Sequence, residues 1–139
     1  MNRKKILIVD DSPVILKALS IKLIASGYEL FTAQDGSAAV AAVRRNKPDL
    51  ILLDISFPPD VGPGVAWDGF LIMNWLRRLD EAKSIPIIVI TGGEPAKYRE
   101  RAMAAGASYF FQKPIDNDDL LTVIRQSLVE EDAPKPAAV

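Results

Sequence analysis

Residues 6–13 read Ile6-Leu7-Ile8-Val9-Asp10-Asp11-Ser12-Pro13, and this octet decides the fold. Four consecutive apolar residues are the pattern of a strand buried on both faces, as the central strands of a parallel sheet are. The run stops at two aspartates. Ser12 then offers an N-cap hydroxyl, and Pro13 a residue already set to the helical φ. A buried strand thus passes directly into a helix, with two carboxylates at the junction.

Working outward, the same alternation recurs. Ile15, Leu19 and Leu23, with Ala18 beside them, give the first helix an apolar face, and Gly27 stops it. Glu29 to Ala33 is a weaker strand. Ser37 to Asn46 is an Ala- and Val-rich helix broken by Lys47-Pro48-Asp49. Leu50 to Leu53 is a second continuous apolar run, ending at Asp54. Residues 57–67 are rich in Pro and Gly and read as a loop, after which Asp68 caps a helix to about Asp80. Pro86 to Ile90 is a strand ending at Thr91-Gly92-Gly93. A helix over 95–105 stops at Gly106, Ser108 to Phe111 is a short strand before Lys113-Pro114, and 116–129 is a last helix capped by Asp116 or Asn117. Five strands alternating with five helices predict an α/β domain with a parallel sheet covered on both faces. The domain is expected to span 1–130, with 131–139 as a flexible tail.

Composition bounds the chemistry. The chain has 139 residues, enough for one domain with a substantial core, and 49% hydrophobic against 25% charged residues is ordinary for a globular protein. A formal net charge of −1 argues for no general affinity for nucleic acid or an anionic membrane. With no cysteine and no histidine, thiolate chemistry, a His-based triad, a phosphohistidine and a His-ligated zinc site are all excluded. A metal here must be a hard cation held by oxygen. No apolar run reaches the length of a membrane span or a signal-peptide core, so a cytoplasmic location is expected.

The polar residues fall where an open parallel sheet binds ligands, beyond the carboxyl ends of its strands. Asp10 and Asp11 follow the first strand, Asp54 ends the third, Thr91 the fourth, and Lys113 follows the fifth. A lone aspartate there is usually a helix cap or turn residue. Five such residues on one rim are a different matter. Three carboxylates together repel one another and call for a cation, and all-oxygen ligation suits Mg²⁺ or a similar ion. Asp54 can then act as a nucleophile on phosphorus. Lys113 can neutralise phosphoryl charge and Thr91 can donate a hydrogen bond.

At this point the sequence resembles the receiver domain of bacterial two-component response regulators. The resemblance rests on Ile-Leu-Ile-Val-Asp-Asp at 6–11, Pro-Asp-Leu-Ile-Leu-Leu-Asp at 48–54, Pro58, Asp68-Gly69, Ile-Val-Ile-Thr at 88–91, Ala105-Gly106-Ala107 and Lys113-Pro114. It implies a flavodoxin-like, doubly wound five-stranded sheet of order 2-1-3-4-5. It implies that Asp54 is the phosphoacceptor and that Asp11 binds Mg²⁺ directly, with Asp10 acting largely through water and Ser56 giving a backbone carbonyl. Thr91 and Phe110 then resemble the switch pair, Lys113 the phosphate-binding lysine, and the Lys113–Pro114 bond is expected to be cis. The implied partners are a histidine kinase or histidine phosphotransfer protein and a downstream protein target, with no direct contact to nucleic acid or membrane. The chain is expected to act as a stand-alone receiver and not as an independent enzyme, although it would catalyse its own phosphorylation and dephosphorylation.

Three features depart from the family pattern. Pro59 to Trp67 lengthens the link between Pro58 and Asp68. Leu71 and Trp75, four apart on the third helix, replace polar residues and are expected to pack under that inserted loop, with a partner surface as the alternative. Ser56 and Gly93 provide no base or amide to orient water, so fast self-dephosphorylation is not expected. Leu16 and Ile24 lie off the stripe assigned to the first helix, either as scattered surface residues or as part of a docking face for the phosphodonor. Two other classes stay open: a receiver-fold module that binds partners without phosphorylation, and a flavodoxin-like nucleotide or flavin binder. Against the latter, Asp10-Asp11 stands where a Gly-rich phosphate loop would.

Overall fold

The computed structural model describes residues 3–55, 69–79, 82–92, 95–113 and 116–132. Its elements alternate strictly: β1 (Lys5–Val9), α1 (Pro13–Ala25), β2 (Glu29–Ala33), α2 (Gly36–Asn46), β3 (Leu50–Asp54), α3 (Gly69–Arg78), β4 (Ile87–Thr91), α4 (Pro95–Ala104), β5 (Tyr109–Gln112) and α5 (Asn117–Asp132). The five strands form one parallel sheet in the order β2-β1-β3-β4-β5. This is the α/β architecture expected from the sequence, with its order. Among the described residues, no helix is long and apolar enough to cross a membrane.

The continuous apolar runs are explained by burial on both faces. Alternate residues of β1, β3 and β4 point to opposite sides. Leu7, Val9, Ile51, Leu53, Ile87 and Val89 join α2 and α3 in one core. Ile6, Ile8, Leu50, Leu52, Ile88 and Ile90 meet α1 and α5 in the other. Each fully buried aliphatic side chain contributes about 1.5–3 kcal/mol, so these twelve strand residues supply a large share of the driving force.

The helix ends follow their caps. Ser12 Oγ accepts from the Ile15 N–H at 3.3 Å ahead of Pro13. Asp35, to which the sequence pattern assigned no role, caps α2 by accepting from Ala38 N–H at 2.8 Å. Asp116 caps α5, accepting from the N–H groups of Asp118 and Asp119. This helix runs to Asp132, three residues past the expected end.

One face assignment is corrected. Leu16 is 6% exposed and sits in the core with Leu19 and Leu23, whereas Ile15 is only partly buried and Ala18 is exposed. The stripe therefore runs at spacings of three and four, as a 3.6-residue repeat requires, and not at four and four. Ile24, 54% exposed, does lie outside it, together with Val14 and Ile21. On α3, Trp75 is half-buried and packs against the core that holds Ile72, Met73 and Leu76. The inserted loop expected to cover it lies outside the described residues, as do Asp68 and residues 133–139.

Candidate functional site

Strand register brings the predicted residues together. Val9 pairs with Leu53, Asp54 with Ile90 and Thr91 with Gln112, so the carboxyl ends of four strands finish in step. Backbone hydrogen bonds fasten the residues at these ends: Asp10 N–H to Ala33 O at 3.0 Å, Ile55 N–H to Ile90 O at 3.1 Å, and Lys113 N–H to Thr91 O at 2.8 Å. The side chains are thus held by sheet ladders and not by mobile loops, which fixes their mutual geometry.

Asp10, Asp54 and Thr91 are the buried polar residues of the described chain, at 2%, 2% and 0% exposure, and all three lie on this rim. The carboxylates of Asp10, Asp11 and Asp54 each bring an oxygen within 4.8 Å of the others, with Asp11 exposed. Lys113 reaches into the group. Its Nζ donates to Asp54 Oδ2 at 2.9 Å and to Asp10 Oδ2 at 3.1 Å. The other Asp10 oxygen accepts from Ser12 N–H at 2.9 Å. This short turn aims Asp10 at the rim. It was legible in the Asp-Asp-Ser-Pro sequence, because aspartate commonly closes a turn onto the N–H two residues on.

The electrostatics are not balanced. Burial pushes the Asp10 carboxyl above its usual range, outweighing the pull of the Ser12 N–H and the Lys113 ammonium, and the Asp54 charge adds to the push. For Lys113, burial acts to lower the pKa. The hydrogen bonds and charges of Asp54 and Asp10 overcome it, so the net shift is upward and the ammonium stays charged. Lys113 thus reaches two of the three clustered carboxylates, and a further cation would relieve their mutual repulsion. The donor set fits a hard divalent ion: carboxylate oxygens only, no sulfur or imidazole, one oxygen-bearing side chain open to solvent. Asp10, Asp11 and Asp54 are the residues that could hold it.

A cleft of about 540 Å³ opens beside this group, floored by Asp10 and Lys113 and walled by Ile15, Ala18, Leu19 and Ile90. Sequence reasoning did not find this cleft, because its wall is assembled from α1 and β4. Phe110, on β5, is half-buried against the core on the α3 side. Ser56, Gly93 and the Lys113–Pro114 peptide fall outside the described residues.

Comparison with known proteins agrees with this geometry. The response regulator receiver domain family matches over residues 6–125. The chain is 34% identical to protein PilH of Pseudomonas aeruginosa over 124 residues, covering 89% of this chain and 97% of that protein. It is 36% identical to response regulator PleD of Caulobacter vibrioides over 121 residues, 87% of this chain but only 25% of PleD, so it spans about a quarter of that relative. Among solved structures, a CheY-like receiver domain protein from Methanospirillum hungatei superposes with a TM-score of 0.82 at 28% identity, covering 94% of this chain and 97% of the other. The chemotaxis protein CheY4 of Vibrio cholerae gives 0.80 at 29% identity, covering 91% and 100%. Receiver domains of this kind serve two-component signalling and generally bind Mg²⁺ at an acidic pocket. By sequence, fold and the composition of its carboxyl rim, the chain is a member of the response regulator receiver domain family.

Proposed function

We propose that this protein is the phosphoacceptor of a two-component or phosphorelay system, taking a phosphoryl group on Asp54 from a phosphohistidine of another protein. The observation that carries this reading is the placement of the Asp54 carboxylate, 2.9 Å from the Lys113 ammonium and within 4.8 Å of the Asp10 and Asp11 oxygens. These 139 residues contain no histidine, so the phosphohistidine does not lie among them.

In the step itself, an Asp54 oxygen attacks phosphorus. The O–P bond forms as the N–P bond of the donor breaks, and its electron pair returns to the imidazole. Mg²⁺, held by Asp10, Asp11, Asp54 and the Ser56 carbonyl, would neutralise charge that develops on the phosphoryl oxygens. Lys113 exchanges its contact with Asp54 for one with a phosphoryl oxygen. Thr91, buried at the end of β4, donates its hydroxyl to another. The product adds roughly −1.5 to −2 charges and new acceptors. Drawing Thr91 inward leaves space for Phe110, and the α4–β5–α5 surface changes for a downstream protein to read. The donor is expected to approach over α1, where Val14, Ile21 and Ile24 are exposed apolar residues. A cytoplasmic location goes with this role.

The test is acetyl phosphate with Mg²⁺, followed by intact-mass measurement. The native chain should gain one phosphoryl group, and the Asp54→Asn variant none. Undiminished labelling of that variant, or labelling insensitive to chelation, would overturn the assignment.

A further inference from the structure

A second cavity, of about 530 Å³, opens at the amino-terminal pole of the sheet, at the other end of β4 from Thr91. Arg77 from the last turn of α3, Lys83, Ser84 and Pro86 ahead of β4, Ser108 ahead of β5 and Ser127 of α5 line it. Four separate segments thus bring two cations and three hydroxyls to one concavity, and among the described residues no Asp or Glu lines it. Arg77 is rigidly placed. Its Nη1 donates to Lys83 O at 2.8 Å and to Ile85 O at 3.1 Å, and its Nη2 to Gly106 O at 2.6 Å. Gly106, at φ +106, leaves the guanidinium its place, since an added Cβ would lie 2.6 Å from Nε. A guanidinium has five N–H donors; three are used here, so two remain, on Nε and Nη2. Burial lowers the Arg77 pKa, and its partners are dipoles that carry no opposite charge. Its positive field therefore reaches the cavity, while the three carbonyls that would repel an anion are already engaged. Among the described residues the hydroxyls of Ser84, Ser108 and Ser127 have no hydrogen-bond partner. One exposed serine is ordinarily just solvated, but three around a fixed arginine form the donor set that an oxyanion takes.

We propose that this cavity binds a small phosphate monoester, its phosphate on Arg77, Lys83 and the serine hydroxyls and its body against Ile85 and Pro86. Three hydroxyls and two N–H groups are more donors than a carboxylate accepts, and they suit the three terminal oxygens of a phosphate ester. The volume lies within the roughly 300–1,000 Å³ of small-molecule sites, more room than a lone phosphate fills. The site is independent of the phosphoacceptor reading, because it lies at the opposite pole from Asp54.

Amide NMR shifts of the full-length protein, titrated with phenyl phosphate in chelator and at low salt, test this. The shifts should concentrate at residues 83–87, 106–108 and 127. Ser108→Ala and Ser127→Ala, which leave the core intact, should each weaken binding about tenfold, the effect of losing one hydrogen bond to a charged group. Lys83→Gln should flatten the salt dependence of binding. Inorganic phosphate should bind about tenfold more weakly than phenyl phosphate, and benzyl alcohol should not bind. Equal affinity for inorganic phosphate would overturn the ester assignment. Shifts confined to other regions, or an affinity untouched by both serine substitutions, would overturn the site. Asp54→Asn should bind phenyl phosphate as the native chain does, whatever the fate of the phosphoacceptor reading. Loss of binding in that variant would put the ligand at the carboxyl rim and overturn the amino-terminal site.

Discussion

The two poles of the sheet solve the problem of a partly buried charge in opposite ways. At the amino-terminal pole, Arg77 is partly desolvated, which lowers its pKa, but its charge is met by three backbone carbonyls. At the carboxyl pole, the carboxylates of Asp10, Asp11 and Asp54 lie together, the Lys113 ammonium donates to Asp10 and Asp54, and Asp10 is left with a raised pKa. Carbonyl dipoles complete the first site from within the fold. Among the described residues the second brings three carboxylates to one ammonium, and a buried charge without full compensation costs several kcal/mol. A fold that keeps such a deficit at one pole and completes the other marks the deficient pole as the one that receives a cation from outside.

The largest effect expected from this contrast is a difference in rescue. Lys113→Ala leaves two buried carboxylates without their counterion and should cost about 3 kcal/mol in chelator. Arg77→Ala strands three carbonyls and should cost about 2–3 kcal/mol. Mg²⁺ replaces the missing positive charge only in Lys113→Ala, so it should bind that variant more tightly than the native chain and narrow its deficit, by about 1.4 kcal/mol for each tenfold gain in affinity. In Arg77→Ala it should add no more than it adds to the native chain, leaving the deficit intact. Urea unfolding with and without Mg²⁺ reads this directly. If both deficits close equally, or neither does, the contrast between the poles is wrong.

The second effect lies in two glycines with nearly the same backbone. Gly27 has φ +100, and a Cβ added there would meet nothing within 4 Å, whereas Gly106 has φ +106 and Arg77 against it. Gly27→Ala should cost about 1 kcal/mol, from backbone strain alone. Gly106→Ala should cost about 2 kcal/mol, because the guanidinium must also move from its three carbonyls. Combining Gly106→Ala with Arg77→Ala should bring its added cost down to that of Gly27→Ala, since residues in contact do not contribute independently. Equal costs at the two glycines in the native background would show that Arg77 is not seated as described.

Much of the rim was legible in the sequence, for a simple reason. Buried parallel strands announce themselves as apolar runs, and the residue ending each run is bound to reach the same edge. Asp10, Asp54, Thr91 and Lys113 therefore come together as expected. What was not legible depends on angles and distances. Ile15 and Leu16 differ by 100° on the helix, and only packing decides which one faces the sheet. Lys113 was assigned to a phosphoryl group, but the spacing of residues gives no hint that it also bridges Asp10 and Asp54. Arg77 looked like any basic residue in a last helical turn, a favourable but ordinary place for a cation. Its three carbonyl partners, at 83, 85 and 106, come from two separate turns that only the folded chain brings within reach.

The smallest expected effect tests the sign of the deficit. The Asp10 pKa is raised in the folded state from its ordinary 3.8. Between these two values the native protein binds more protons than the unfolded chain, so the Asp10 contribution to stability falls as pH rises through that interval. Asp10→Asn removes this titration. In chelator, the stability of the variant relative to the native chain should therefore climb as pH rises from the ordinary aspartate range and level off once Asp10 is ionised. With Mg²⁺ present the sign should reverse, because the ion favours the ionised carboxylate that the variant lacks. Urea midpoints across this range, in chelator and in Mg²⁺, give both curves. A relative stability that stays flat with pH in chelator would mean Lys113 and the Ser12 N–H already compensate Asp10 in full, and the carboxyl pole would then be as complete as the one built around Arg77.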